Sequence, residues 1–265
     1  MSPSRPTEHE VIRLHEDQAS LFGDRYRAQQ NDPYHSSFNY GRKKLAEVMF
    51  SALGERGADR IVLDAGCGTG FFLGALEARR FRVIGIDLAW NMLMRAREDR
   101  KRPVIYGDVR ALPFPAAAFD AVVSVEVVRY LRDAERAIED YVRVLRPGGL
   151  CVVTAAPRFS THGYAAFNRV NAALGLTSRI KARQYFETTS SLRRKMTAAG
   201  LIDVKVSARF LGPFIVAEKI APALIPRMLR YWEPFDDRLS NRTGFQNLSN
   251  HIIAVGRKPS AAGTA

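Results

Sequence analysis

The 265-residue sequence predicts an α/β fold in which a seven-stranded sheet is flanked by helices. From residue 42 onward, short β-rich runs alternate with longer helical patterns, which is typical of a parallel sheet wrapped by helices. A glycine-rich turn follows the first predicted strand. Hydrophobic residues make up 46% of the chain, enough to bury a sizeable core. These observations favour one large domain with appended segments.

The predicted strands are Arg60–Ala65, Arg82–Asp87, Pro103–Tyr106, Phe119–Val125, Leu150–Ala155, Val204–Phe210 and Asn250–Arg257. Helical patterns cover Arg42–Leu53, Phe71–Arg79, Trp90–Lys101, Ala134–Leu145 and Ser190–Ala199. The segment Arg146-Pro147-Gly148-Gly149 is expected to end one helix and turn the chain into the fifth strand. A strand that alternates with a helix in this way indicates an open, Rossmann-like sheet.

Four segments are predicted from this alternation: an N-terminal helical cover (1–59), a central core (60–157), a cap insertion with the C-terminal part of the sheet (158–258), and a disordered tail (259–265). The cover is rich in aromatic residues, Tyr26 among them. The cap follows the fifth strand, on the side where open α/β sheets bind ligands. Together with residues 211–236, it is expected to roof a site.

The net charge of +13 is unevenly distributed, with nine of these charges in residues 158–233. A basic face can serve nucleic acid, an anionic membrane surface or an acidic substrate, and its sign alone does not choose among them. The two cysteines form no disulfide framework or metal-binding pattern, and the five histidines suggest no metal site. With no export or bilayer-crossing segment apparent, we expect a cytoplasmic protein that touches a membrane peripherally at most.

The turn LDAGCGTGFF raises the question of what its glycines hold. A dinucleotide fingerprint needs glycine at the first, third and sixth positions. Gly66 and Gly68 fit the first two, but the sixth is Phe71. A bound phosphate is therefore not favoured.

Three carboxylates, Asp64, Asp87 and Asp108, end three successive predicted strands. They would repel a diphosphate. A ligand that carries an ammonium group, a ribose and a base with an exocyclic amine would satisfy all three. S-adenosylmethionine has each of these parts and a sulfonium cation, so it is the predicted cofactor. The alternative for each acid taken singly is a helix cap.

The motifs LDAGCGTG, VIGIDLAWNML, GDVRALPFPAAAFDAVVS and RVLRPGGL match, in order and spacing over roughly residues 60–157, those of a known family. The chain resembles the class I S-adenosylmethionine-dependent methyltransferases, and within them the small-molecule group that includes the ubiquinone and menaquinone C-methyltransferases.

This resemblance implies roles for individual residues. Gly66 and Gly68 would let the methionine moiety approach, Asp64 would place its amine, and Asp87 would hold the ribose. The predicted adenine contacts are the Asp108 carboxylate, the Val109 backbone N–H and the Leu88 side chain. Cys67 and Ser124 complete the predicted cofactor-binding set.

Two residues are candidates for a catalytic role. Tyr130 stands where the family often has a histidine, in Val127-Val128-Arg129-Tyr130-Leu131, so it is expected either to orient an acceptor or to pack. His162 lies beyond the fifth strand, where an acceptor should enter, and the alternative is a surface histidine without function.

The sequence thus predicts methyl transfer to a small-molecule or lipid-like acceptor, without DNA or metal. An RNA methyltransferase that uses the basic 158–233 segment is a less favoured alternative, and so is a non-catalytic cofactor-binding protein. Residues 211–232, apolar and punctuated by cations, are expected to admit the acceptor, with membrane contact as a weaker version. The oligomeric state stays open.

Overall fold

The computed structural model describes residues 8–24, 32–54, 56–100, 103–162, 169–170, 173–174 and 184–260. Tyr26, residues 163–168, 171–172 and 175–183 of the predicted cap, and the last five residues of the predicted tail lie outside the described residues. Among the described helices, none combines the length and apolar character needed to cross a membrane.

The centre of the molecule is one twisted sheet. Its strands are β1 (Ile61–Ala65), β2 (Arg82–Asp87), β3 (Val104–Tyr106), β4 (Phe119–Ser124), β5 (Leu145–Pro157), β6 (Phe186–Glu187), β7 (Ile202–Arg209) and β8 (His251–Arg257). The main path runs β3-β2-β1-β4-β5-β8-β7, and the two-residue β6 pairs with β5. The strands from β3 to β5 are parallel, whereas β8 is antiparallel to both its neighbours. The predicted α/β fold with seven main strands is confirmed.

Helices cover both faces of the sheet. They are α1 (Glu8–Asp17), α2 (Ser37–Leu53), α3 (Phe71–Glu77), α4 (Trp90–Arg100), α5 (Ala134–Val144), α6 (Thr189–Ala198), α7 (Phe214–Ile220) and α8 (Ile225–Leu239). Helix α5 shows how the sequence sets this packing, because its buried residues Ala134, Ala137, Ile138, Tyr141 and Val144 recur at helical spacing. They join one buried core, and α2 and α3 build the second on the opposite face.

The start of β5 differs from the prediction. The segment Arg146–Gly149 was expected to be a turn, but the strand already begins at Leu145. Leu145 pairs with Phe119, and the next pair is Leu150 with Ala121, so extra residues bulge out of β5 between them. Gly148, with φ of +78°, permits this irregularity.

The N-terminal cover and residues 211–236 pack against each other. The Tyr40 hydroxyl on α2 donates to Asp236 Oδ2 on α8 at 2.8 Å, and the Leu211 backbone N–H donates to Asp236 Oδ1 at 2.8 Å. Tyr40 also shares a buried cluster with Phe210 and Phe214. Through Asp236 and this cluster, α2, α7 and α8 pack together beside the strand ends.

Candidate functional site

A cavity of about 1220 Å³ lies at the carboxyl end of the parallel strands. The glycine turn and the ends of β2 and β3 form one half, which we call the cofactor half. The ends of β4 and β5, the start of β8, and helices α2 and α7 form the other, which we call the acceptor half. Side chains of α1 close the cavity from the N-terminal side.

Asp87 fixes the glycine turn from the neighbouring strand. Its Oδ2 accepts the Gly68 N–H at 2.8 Å, and its Oδ1 accepts the Ala89 N–H at 2.8 Å. Burial raises the pKa of Asp87, while these backbone donors oppose the rise. The carboxylate lines the cavity, as the predicted ribose contact requires.

Gly66 connects the two halves. Its φ is +84°, and a Cβ built there would come within 2.2 Å of Val127 Cγ2, in the segment after β4. Only glycine allows both this backbone angle and this close approach. The turn and the post-β4 segment are therefore packed directly on each other.

Asp64 lies at the end of β1, buried close to the turn. Only 1% of it is exposed, its Oδ2 has no hydrogen-bond partner, and it does not contribute to the cavity wall. Burial, and then the charge of Asp87, raise the pKa of Asp64 to about 7. An unpartnered buried carboxyl oxygen calls for a donor or a cation. The site thus fits a ligand with a positive charge, which would favour the ionised form of Asp64 behind the turn.

The third predicted acid, Asp108, already forms an ion pair within the chain. Arg110 donates to Asp108 through its backbone N–H at 2.8 Å and forms an ion pair with it at 2.7 Å. Burial would raise the pKa of Asp108, but the hydrogen bonds from Arg110 lower it. Asp108, Val109 and Leu88 all line the cofactor half, where the predicted adenine contacts would lie. Sequence reasoning missed Arg110, two residues after the acid.

The two remaining predicted cofactor contacts differ from each other. Cys67 lines the cavity and packs on Gly85, where a Cβ would lie only 2.7 Å from Cys67 Sγ. Burial raises the pKa of the Cys67 thiol well above its ordinary value, so the thiol stays protonated. Ser124 is fully buried, does not line the cavity, and its hydroxyl lies 3.2 Å from that of Tyr141. The position of Ser124 on β4 directs its side chain toward α5.

Both predicted catalytic residues line the acceptor half. The Tyr130 ring meets His15 of α1 edge to face, with centroids 4.9 Å apart. The His162 ring meets Phe210 edge to face at 5.3 Å, and its Nε2 is buried without a hydrogen-bond partner. Burial lowers the pKa of His162 to about 3, so this imidazole is neutral at physiological pH and only weakly basic.

Sequence reasoning assigned no role to a second group in this half. His251 Nδ1 lies 3.2 Å from Glu126 Oε1, and Arg129 forms an ion pair with Glu126. Burial would raise the pKa of Glu126, but Arg129 and His251 hold it well below its ordinary value. Only the order and direction of the strands could have indicated this pair. Glu126 follows β4 and His251 begins an antiparallel strand, so both lie at the same edge of the sheet. Among the described residues, no group of three or more His, Cys, Asp or Glu side chains could hold a metal.

Part of this chain is similar in sequence to known proteins. Residues 63–153 match the methyltransferase domain family. A probable S-adenosylmethionine-dependent methyltransferase from Mycolicibacterium smegmatis is 37% identical over 43% of this chain and 45% of its own length. A malonyl-[acyl-carrier protein] O-methyltransferase from Serratia marcescens is 41% identical over 34% of this chain and 35% of its own. The chain thus spans less than half the length of either relative.

The fold is also similar to that of solved structures. A S-adenosylmethionine-dependent methyltransferase from Thermotoga maritima, described as a possible histamine N-methyltransferase, superimposes with a TM-score of 0.62 over 93% of this chain and 99% of its own, at 19% identity. The domain match covers the glycine turn and the ends of β2, β3 and β4, which include the cofactor half described above. Residues 63–153 therefore match a methyltransferase domain, and the chain shares its fold with S-adenosylmethionine-dependent methyltransferases.

Proposed function

We propose that this chain transfers the methyl group of S-adenosylmethionine to a small-molecule or lipid-like acceptor and releases S-adenosylhomocysteine. The observation that carries the proposal is the single cavity that joins an acid-bearing glycine turn to an aromatic, histidine-containing half. A protein that only bound the cofactor would not need the second half.

The cofactor supplies an electrophilic methyl group on a sulfonium sulfur. Asp87 lines the turn and Asp64 lies buried behind it, so a cationic cofactor held there would favour their ionised forms. Helices α1, α2 and α7 contribute cavity-lining residues and limit access of water. Since methyl transfer depends mainly on an in-line approach in a dry site, this enclosure supports an enzymatic role.

The acceptor half is suited to an apolar or aromatic group. Phe38, Phe186 and Phe210 line it, together with Ile215 and Val216 of α7. The Serratia marcescens relative is named for methylation of an oxygen acceptor on a carrier protein. The narrower resemblance to quinone C-methyltransferases stays a prediction, as does the identity of the methylated atom.

Helices α7 and α8 also suggest how a lipid-like acceptor would arrive. Ile220 and Tyr231 are each 79% exposed, and Leu224 is 56% exposed. Lys219 of the same surface lines the cavity. Exposed apolar side chains beside cations favour peripheral contact with an anionic membrane surface, and we include such contact in the proposal.

RNA is the second candidate substrate, supported by the positive charge of residues 158–233. Part of that charge is internally paired, since Lys195 forms ion pairs with Glu135 and Glu187 at 2.8 and 2.7 Å. The exposed Arg193 and Arg194 of α6 lie at a separate groove away from the cavity. This separation favours the small-molecule proposal.

Two measurements test the proposal. Isothermal titration with S-adenosylmethionine and S-adenosylhomocysteine should show binding of both. Labelled cofactor should then transfer methyl to at least one member of a panel of quinols, phenols, sterol-like compounds and glycolipids. Transfer to RNA alone would replace the proposal with the RNA alternative, and binding without any transfer would favour a non-catalytic protein.

A further inference from the structure

The acceptor half contains two histidines whose surroundings differ. The His162 imidazole, with its pKa lowered to about 3 by burial, is too weakly basic to retain a proton taken from an acceptor. The His251 side chain is 12% exposed, lines the same cavity and is held by a carboxylate. His251 is therefore the better candidate for a general base in the acceptor half.

The tautomer of His251 follows from its partner. Glu126 is ionised because Arg129 and His251 keep its pKa low despite burial, and an ionised carboxylate can only accept hydrogen bonds. His251 Nδ1 must then carry the proton that it donates to Glu126 Oε1 over 3.2 Å. In the neutral imidazole, Nε2 is then the nitrogen that carries the lone pair.

Glu126 is itself held rigidly. The Thr154 hydroxyl of β5 donates to Glu126 Oε1 at 3.3 Å and accepts the Glu126 backbone N–H at 2.7 Å. The Glu126 backbone has φ of +63°, a left-handed conformation that is uncommon for a side-chain-bearing residue. Backbone outliers of this kind cluster at functional sites. The carboxylate that orients His251 is thus fixed from both β4 and β5.

Helix α2 passes close to His251. A Cβ built on Gly41 would come within 2.7 Å of His251 Nε2, so any other residue at this position would press on the imidazole. Glycine in a helix interior costs stability relative to alanine. Glycine at position 41 therefore lets the helix backbone lie close to the imidazole without a side chain that would displace the ring.

We infer that the Glu126–His251 pair is a general base that takes the proton of a hydroxyl acceptor, so that the methylated atom is an oxygen. This inference rests on the proposed methyltransferase function. As the acceptor oxygen forms its bond to the methyl carbon, its proton passes to His251 Nε2. The C–S bond breaks with its electron pair going to the sulfonium sulfur, and the imidazolium is neutralised by Glu126.

The charges around the pair favour an oxygen acceptor over an amine. The charged or titratable groups that face it from the neighbouring elements are Arg42 of α2, Arg129 after β4, His162 after β5 and Arg209, the ladder partner of His251 on β7. Arg42 and Arg129 both lower the pKa of Glu126 by their positive charge. Two cations around one carboxylate disfavour an incoming ammonium and stabilise a developing oxyanion.

The test uses 4-nitrophenol, whose neutral and ionised forms have different absorption spectra, bound to the full chain with and without S-adenosylhomocysteine. We expect the apparent pKa of the bound probe to fall by about one unit, the scale of shift that a nearby opposite charge produces. The shift should be largely lost in His251→Gln and Gly41→Ala, which remove or displace the imidazole. Glu187→Gln is the control, since the Glu187 side chain is 12% exposed, as is that of His251, and it forms an ion pair outside the cavity.

The outcomes separate the inference from the proposed function. An unshifted probe, a probe that does not bind, or a shift lost in His162→Gln but retained in His251→Gln overturns the inference. Retained titration with S-adenosylhomocysteine shows that each variant is folded and that its cofactor half is intact. If the wild type fails to bind S-adenosylmethionine, the proposed function fails, whatever the probe does.

Discussion

The cofactor half and the acceptor half of the cavity are built in different ways. The cofactor half comes from short, contiguous segments after β1, β2 and β3, and backbone N–H groups bonded to Asp87 and Asp108 hold it in place. The acceptor half draws single side chains from elements far apart in the chain, such as Glu126 and His251. A shared cofactor can therefore be bound by a fixed local motif, while the acceptor side is free to vary with tertiary packing.

The largest effect of a single substitution is expected at Gly66, where the two halves of the cavity meet. Gly66→Ala should lower the free energy of unfolding by roughly 2–5 kcal/mol, because the left-handed backbone and the overlap with Val127 are both penalised. Gly200→Ala is the control, with φ of +94° but no heavy atom within 4 Å of the added Cβ. Urea unfolding of both variants provides the measurement. Equal losses would show that the contact with Val127 carries no energy.

A smaller effect is expected in the cofactor half alone. Asp87→Asn should weaken binding of S-adenosylmethionine by about 1–3 kcal/mol, the range for loss of a charged hydrogen-bonding partner. Asp120→Asn is the matched control, because Asp120 accepts the Ile61 N–H at 2.7 Å and pairs with Arg146 outside the cavity. Calorimetric titration should find an unchanged affinity in the control. A similar loss in both variants would remove Asp87 from the binding site.

Asp64 gives the cofactor half a pH dependence. Its raised pKa, about 7 in the folded chain against 3.8 ordinarily, means that folding favours the neutral carboxyl. The stability that it contributes is complete below 3.8 and is lost as the pH rises through about 7.

A cationic ligand held at the turn reverses the preference, because its charge favours the ionised form of the nearby Asp64 carboxylate. Affinity for S-adenosylmethionine should therefore rise with pH up to about 7, by at most about tenfold per unit, and then level off. Titrations at several pH values measure the slope. The same slope in Asp64→Asn would assign the effect to another group.

The cofactor half was largely predictable from sequence, since a turn, its glycines and three strand-end acids lie in order along the chain. Ser124 shows the limit of that approach, because one position along β4 decides whether a side chain faces the cavity or a helix. The Glu126–His251 pair was not predictable from local patterns. It depends on β8 inserting antiparallel beside β5, a pairing of residues about a hundred positions apart.

The smallest expected effect concerns how the acceptor half is reached. If α7 and α8 contact an anionic membrane, Lys219→Glu with Arg227→Glu should weaken sedimentation with anionic liposomes by about 1 kcal/mol per charge, and Ile220→Glu should weaken it further. Arg230 is left unchanged because it forms an ion pair with Asp32 at 2.7 Å. Ile202→Glu, an exposed apolar position on β7, is the matched control. Equal binding of anionic and neutral liposomes by the wild type, or an equal loss in the control, would remove the membrane from the proposal. Cofactor titration should be unaffected in every variant, because this surface serves only the acceptor half.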